Sequence, residues 1–325
     1  MKMPHRNPIR RLAALIVAAL VASLLTTASA QAYPSRQLDW TIAFGPGGGN
    51  DIMARTLINI LDQYDLFPQN IVATNRAGGS GAVGWGHLVS NAGNDYVIST
   101  TSGSFITTPL LSDVGWTYED FTPIALLASD DMVLLVQGNS PIETLEEFVE
   151  YAKANRVSIG GIGAVNVDFI VPTLFAQQAG FEFDYVSFNA AGELNTGLLS
   201  GALTAIMSNP GEVLGLMESG DVRALAFSGV ETPDALGDLP TFDSLGYPIG
   251  VSLPRGLILT PGASQEAVDY WTETMRFVVT TPEWEEYIDI NLLTENILFG
   301  EDFIAFLDDT VAAFETILRE AGAID

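Results

Sequence analysis

A chain of 325 residues, 48% of them apolar, is long enough to bury the core of one or two domains. Forty acidic residues against thirteen basic ones give a net charge of −27, which excludes nucleic acid and anionic lipid as natural partners. Cysteine is absent, so the chain has neither a disulfide framework nor a thiol nucleophile.

The first segment reads as a secretory signal peptide, residues 1–30. Lys2, Arg6, Arg10 and Arg11 precede the apolar run LAALIVAALVASLL (12–25), and the small residues ASA (28–30) follow. Cleavage is expected after Ala30, with Ala32 as the second choice. The apolar run is short for a membrane span, which leaves a retained anchor as the weaker alternative. Export predicts a periplasmic protein. Removal of the four basic residues leaves nine against forty, a charge of −31, with Lys153 the last lysine. An acid-rich, lysine-poor surface suits saline surroundings, where repulsion is screened; a halophilic source and a merely acidic periplasmic protein both fit.

Beyond the leader, strands and helices alternate. LDWTIAF (38–44) places Leu38, Trp40, Ile42 and Phe44 on one face at a period of two. The glycine-rich FGPGGGND (44–51) follows, and then Met53, Leu57, Ile60, Leu61 and Tyr64 recur at helical spacing from about Ile52. NIVAT (70–74) and DYVIST (95–100) read as strands around a helix near 82–91. MVLLVQ (132–137) is a buried-strand pattern, and Thr144 with Glu147 forms a capping box before Leu145, Phe148 and Ala152. VSIGGIG, DYVSF, LTAIMS and VRALAFS are further strands. The tail from Asp302 to Ala321 sets Ile304, Leu307, Val311, Phe314 and Leu318 on one helical stripe. This alternation predicts an α/β protein with mainly parallel sheets in two lobes.

Ligands of such sheets gather where strand ends meet helix starts. The turn Gly45–Asn50 sits at such a place. Helix-start N–H groups lack intrahelical partners, and glycine lets backbone wrap an anion closely, so the turn reads either as an anion cradle or as a plain tight turn. Asn50 or Asp51 is expected to cap the helix. No Lys-Ser/Thr pair follows the glycines, which excludes a nucleotide P-loop. GSGAVG (79–84) matches G-x-G-x-x-G, but STTSGS (99–104) lacks the acidic residue a dinucleotide site needs, and no cofactor is expected.

Catalytic material is scarce. His87 is the one histidine after the leader, in a helical context that suits a structural role, so no histidine metal site is expected. No G-x-S-x-G elbow occurs. Asp130-Asp131 and Asp308-Asp309 are expected on solvated faces. Arg36, Arg156, Arg276 and Arg319 are expected at the surface, and Arg55 and Arg223 in structural pairs. Arg255 stands apart, between apolar runs in VSLPRGLILTPG. Its guanidinium suits a bidentate carboxylate, either a ligand's or an internal acid's.

Seven segments in register carry a family resemblance. They are YPSRQLDWTIAFGPGGGNDIMAR (33–55), NRAGGSGAVGWGHL (75–88), DFTPIALLA (120–128), SPIETLEEFVEYAKAN (140–155), GGIGAVNVDFIVPTLFAQQAG (160–180), GDVRALAFSG (220–229) and LPTFDSLGYP (239–248). With these the chain resembles the extracytoplasmic solute receptors of the tripartite tricarboxylate transporter system, the TctC/Bug receptors. The resemblance implies a two-lobed periplasmic binding protein of type II-like fold, a monomer that closes on a small carboxylate and delivers it to the membrane components of its transporter. It implies lobes at 33–136 with 256–325 and at 137–255, crossing near MVLLVQGN and LPRG.

The resemblance also implies that the first turn of each lobe grips a carboxylate. These are Gly45, Pro46, Gly47, Gly48, Gly49 and Asn50 in one, and Gly161–Asn166 in the other, with Gly163, Ala164, Val165 and Asn166. Relatives often place a hydroxyl residue shortly before a histidine in the second turn; here AVNVDF departs, and Asp168 would be awkward beside an anion. AAGE (190–193) with Glu193, and PRG (254–256) with Arg255, look like the tricarboxylate branch, Arg255 pairing an extra carboxylate. Ser102, Ser104, Asn189 and Ser208 are further hydroxyl or amide contacts, or ordinary loop caps. A sensor receptor and, more weakly, an exported hydrolase are the competing functions; the chain is expected not to be an enzyme.

Overall fold

Strand β1, Leu38–Ile42, begins a six-stranded sheet whose spatial order is β11-β4-β10-β3-β1-β2. The computed structural model describes residues 32–163, 167–188, 191–229, 231–249, 253–320 and Ile324. The other strands of this sheet are β2 (Ile71–Asn75), β3 (Val97–Thr100), β4 (Thr122–Asp130), β10 (Leu253–Leu259) and β11 (Thr294–Phe299). A second, five-stranded sheet has the order β7-β6-β8-β5-β9. It comprises β5 (Val133–Gln137), β6 (Val157–Ile162), β7 (Phe183–Phe188), β8 (Ala205–Ser208) and β9 (Val222–Phe227). Strands read from the sequence on either side of the turns fall within a few residues of these bounds.

The α/β class holds, with helices flanking both sheets, but the pairing is mixed rather than mainly parallel. Strands β1, β2 and β3 pair in parallel, as do β6, β7 and β8. Antiparallel pairs surround the strands that carry the chain between sheets: β10 with β3 and β4, β11 with β4, and β5 with β8 and β9. The cause is the crossing itself. Strand β4 runs out of the first sheet at Asp130 and, after two intervening residues, β5 enters the second. The chain returns to the first sheet on β10. Strands β4 and β10 are largely apolar without clear alternation and β11 opens on the polar Thr294, Glu295 and Asn296, and periodicity did not reveal them as strands.

The helices are α1 (Gly49–Gln63), α2 (Ala82–Ser90), α3 (Gly103–Leu111), α4 (Leu145–Ala154), α5 (Val167–Ala179), α6 (Ala191–Leu199), α7 (Pro210–Glu218), α8 (Gln265–Val278), α9 (Pro282–Asn291) and α10 (Glu301–Glu320). Thr144 does cap α4, its hydroxyl accepting from the Glu147 N–H at 3.2 Å; the Glu147 carboxylate reaches Glu143 N rather than completing the box on Thr144. In α10 the predicted stripe buries Leu307, Phe314 and Leu318, whereas Ile304 is exposed and Phe303 takes its inward place. Phe303, Leu307, Phe314 and Ile317 belong to the same apolar core as Phe105 in the first half and Phe148 and Phe175 in the second. Trp85, Phe105, Trp116 and Phe121 pack at centroid distances of 5.1–6.0 Å, arrangements worth roughly 0.5–1.5 kcal/mol per pair beyond burial.

The G-x-G-x-x-G match has a packing cause. A Cβ on Gly84 would sit 2.5 Å from Ala43 Cα, so the glycine lets α2 lie against the end of β1. Gly81 is left-handed at φ 91° and lies under the Trp85 ring. His87 shares Asp39 with Arg76, at 3.2 and 3.3 Å, in the structural role its context predicts.

Candidate functional site

The glycine turn leaves β1 and starts α1 three residues earlier than the spacing of apolar residues indicates. Gly48 is therefore the N-cap, and Asn50 and Asp51 lie in the first turn of the helix rather than capping it. Gly47 requires glycine at φ 83°. Asp51, 4% exposed, organises the turn from within. Its carboxylate accepts the Gly47 N–H, Arg55 Nε and Asn75 Nδ2, each at 2.9 Å. Burial opposes its charge, but the bonds from Arg55, Gly47 and Asn75 outweigh burial and hold its pKa below the usual carboxylate value. The Gly47 amide is thus spent internally. Gly49, Asn50 and Asp51 open the helix, so their N–H groups have no carbonyl one turn back within α1.

Asn50 is 4% exposed. Its Nδ2 donates to Thr101 O at 3.1 Å, which fixes the amide orientation, and its buried Oδ1 has no partner. Ser102 is the N-cap of α3, yet its hydroxyl caps nothing and its buried Oγ is also unpartnered. Between these lies Arg255, 7% exposed on β10. Gly49 is glycine because of it: a Cβ there would stand 2.4 Å from the guanidinium.

Arg255 does not stand free for a ligand's carboxylate. Its guanidinium forms a buried ion pair with Asp130, whose other oxygen accepts Asn209 Nδ2 at 2.6 Å. Of the two alternatives for this arginine, the internal acid is the partner found, and Arg255 Nε remains buried without a partner. The pair forms because β10 and β4 are neighbours, with Arg255 opposite Ala128 and Asp130 opposite Leu253. Asp130 and Asp131 are consequently buried, contrary to the expectation of a solvated face, with Asp131 accepting from Thr294 Oγ1 at 2.7 Å. Burial, relieved in part by Thr294, lifts Asp131 to a pKa of about 6. Asp308 and Asp309 are exposed as expected.

The second sheet supplies the opposite wall. Asp168, 3% exposed near the start of α5, accepts the Ile162 N–H at 2.9 Å and closes the loop between β6 and α5. Burial drives its pKa to about 7, against the lowering effect of that bond. Glu212 faces the cleft from the first turn of α7. Although the residue is exposed, partial desolvation of its carboxyl and then Asp130 raise its pKa, with Arg255 acting the other way. Together the two walls enclose a cavity of about 370 Å³. The first side contributes Phe44 through Asn50, Ser102, Ser104, Leu253 and Arg255; the second contributes Ile162, Asp168, Ala191, Asn209 and Glu212.

Of the residues expected from sequence, Gly45, Pro46, Gly47, Gly48, Gly49, Asn50, Ser102, Ser104 and Arg255 meet here. Two do not line the cavity. The Gly163 N–H donates to Phe188 O at 2.9 Å while its carbonyl accepts from Tyr185, and Ser208 is buried at the end of β8. Ala164, Val165, Asn166 and Asn189 lie outside the described residues. Sequence reasoning missed Asn209 and Glu212. The signal was present in SNPGE, where Asn-Pro after a strand opens a helix as the glycine turn does. A wider depression of about 870 Å³ between α4 and α5 is open to solvent, and its Arg156 is paired with Asp184; it gathers no buried unpaired group.

The family model for the tripartite tricarboxylate transporter family receptor matches residues 54–323. Protein BugT of Bordetella pertussis (strain Tohama I) is 24% identical over 324 residues, covering 98% of this chain and 99% of BugT. A TctC solute binding protein from Polaromonas superposes with a TM-score of 0.75 at 26% identity, covering 89% of this chain and 99% of that one. The R. palustris protein Rpa4515, solved with adipate, superposes with a TM-score of 0.79 at 20% identity, covering 89% of this chain and 98% of its own.

Proposed function

The chain belongs to the tripartite tricarboxylate transporter family of receptors, and from that premise we propose that it captures a small carboxylate in the cleft between its two sheets and presents it to the membrane components of such a transporter. The observation that carries this reading is the helix start at Gly48–Asp51 opening into a cavity of about 370 Å³ beside Ser102 and Arg255. Unsatisfied amides and the positive end of the α1 dipole favour a carboxylate there. The distant acidic surface acts weakly through salt, whereas amide dipoles act at contact. The adipate bound by Rpa4515 supports the same ligand class.

The two sheets serve as the closing lobes, exchanging chain at Asp131-Met132 and again between Phe227 and Leu253. Capture without turnover is the reading we adopt for this cavity. Ser102 and Ser104 have no histidine beside them, and His87 is committed to Asp39 outside it. The family's receptors are periplasmic, and the leader of residues 1–30 is removed on export, leaving a monomeric carrier. Among the described residues no helix is long and apolar enough to cross a membrane.

A thermal-shift screen of the mature protein against mono-, di- and tricarboxylates tests this. A ligand at a hundred times its Kd adds about 2.7 kcal/mol, which raises Tm by roughly 4–5 °C for a chain of this size. A panel in which no carboxylate moves the transition overturns the reading.

A further inference from the structure

The second wall of the cleft carries a group at odds with an anion. Asp168 lines the cavity and is 3% exposed. Its place is built into the backbone at two points. The Ile162 N–H at the end of β6 donates to its carboxyl at 2.9 Å, and Gly161 leaves room that a Cβ would take, 2.5 Å from the Asp168 Cβ. The groups around it give an ionised form little support. Strands β6 and β8 bring no titratable side chain. Tyr185 on β7 donates its hydroxyl to Gly163 O. Glu212, exposed on α7, and Asp130, buried at the end of β4, are both acids. Arg255 on β10, the one cation among the described residues lining the cavity, is already paired with Asp130. A ligand carboxylate entering beside an ionised Asp168 would meet like charge away from water, and two carboxyl groups so placed share a proton.

We propose that Asp168 takes part in capture as a carboxylic acid: it donates its proton in a hydrogen bond to the ligand's carboxylate, so that the receptor binds one proton together with each anion. The proposal rests on the carboxylate reading above and adds the protonation state in which that reading operates. The start of α1 offers amide donors from the first sheet, and protonated Asp168 offers an O–H from the second. An anion held by donors of both walls favours the closed cleft, whereas an ionised Asp168 would offer acceptors alone. Burial sets the unliganded carboxyl near 7. The proton is therefore present in about half the molecules at neutral pH and is drawn from solvent in the rest. An acid that served only to tie β6 to α5 would leave ligand binding indifferent to that proton.

Calorimetric titration of the mature protein at pH 7 and pH 9 tests the idea with acetate, succinate, adipate, benzoate and tricarballylate, all ionised over that range. Each probe that binds is titrated in two buffers of different ionisation enthalpy, and the difference in heat reads the protons taken up. Between the two pH values the protonated fraction of Asp168 falls from about one half to about one in a hundred, so affinity is expected to fall roughly fiftyfold. Uptake is expected to rise from about half a proton to nearly one. Asp168→Asn keeps an acceptor for the Ile162 N–H and carries a permanent donor, and is expected to abolish the uptake and flatten the pH profile. Wild-type binding that is unchanged from pH 7 to 9, or that takes up no proton, overturns the proposal and leaves the carboxylate receptor standing. The same pH slope in Asp168→Asn assigns the proton to another group and overturns it too. Silence from all five probes overturns it, and silence from the wider carboxylate panel as well overturns the receptor reading.

Discussion

Asp168→Asn is the perturbation with the most definite sign. The wild-type carboxyl is 3% exposed and its pKa rises from 3.8 to about 7, chiefly through burial. Between those values the folded protein holds a proton that the unfolded chain has released, so stability falls as pH rises through the window. Below about pH 4 both states are protonated and nothing is lost; above about pH 7 the full cost is present. A gap of about 3 units at roughly 1.4 kcal/mol each sets an upper bound near 4 kcal/mol. Asparagine keeps the acceptor for the Ile162 N–H and removes the charge. Urea unfolding at pH 4, 6 and 8.5 and constant salt is the assay. The variant is expected to match wild type at the acid end and to exceed it by about 2–4 kcal/mol at pH 8.5. Asp131, lifted to about 6, gives wild type a slope of the same sign, but this slope is common to both proteins and cancels in the difference. Equal pH slopes for the two proteins would refute a proton on Asp168 in the folded state.

Two further outcomes follow from close approaches. Gly49→Ala ought to gain about 1 kcal/mol from helix propensity, yet its Cβ would stand 2.4 Å from the Arg255 guanidinium and push it from Asp130. A net loss of about 1–4 kcal/mol is expected by chemical denaturation, since disturbing a buried pair leaves an uncompensated charge, and a stabilised variant would show that the guanidinium moves freely. Gly211→Val places its Cβ 3.0 Å from Asn291 O, where α7 of the second sheet meets α9 of the first. It is expected to destabilise the protein by about 1–3 kcal/mol through overpacking, read by chemical denaturation; an unchanged stability would show that the two helices separate there at no cost.

Much of the fold was legible in the sequence because its signals are local. Alternation at Leu38, Trp40 and Ile42 gives β1, and the glycines of the first turn announce a strand end that something must approach closely. The strands that periodicity passed over, β4, β10 and β11, lie among the antiparallel pairs of the first sheet and lack a clear alternation. Half of the cleft was legible for the same reason: Gly45–Asn50, Ser102 and Ser104 lie at consecutive strand ends on the first sheet.

The sequence by itself determined the α/β class and the position of the glycine turn, since each depends on residues close in the chain. Only the tertiary structure decided what the site holds. Arg255 had forty acidic residues to choose from, and its partner is Asp130 because β10 lies beside β4, 125 positions away in sequence. The same crossing between sheets brings Asn209 and Glu212 opposite the start of α1. Charge balance in the cleft is set by which side chains meet across two sheets, and no local pattern encodes that meeting.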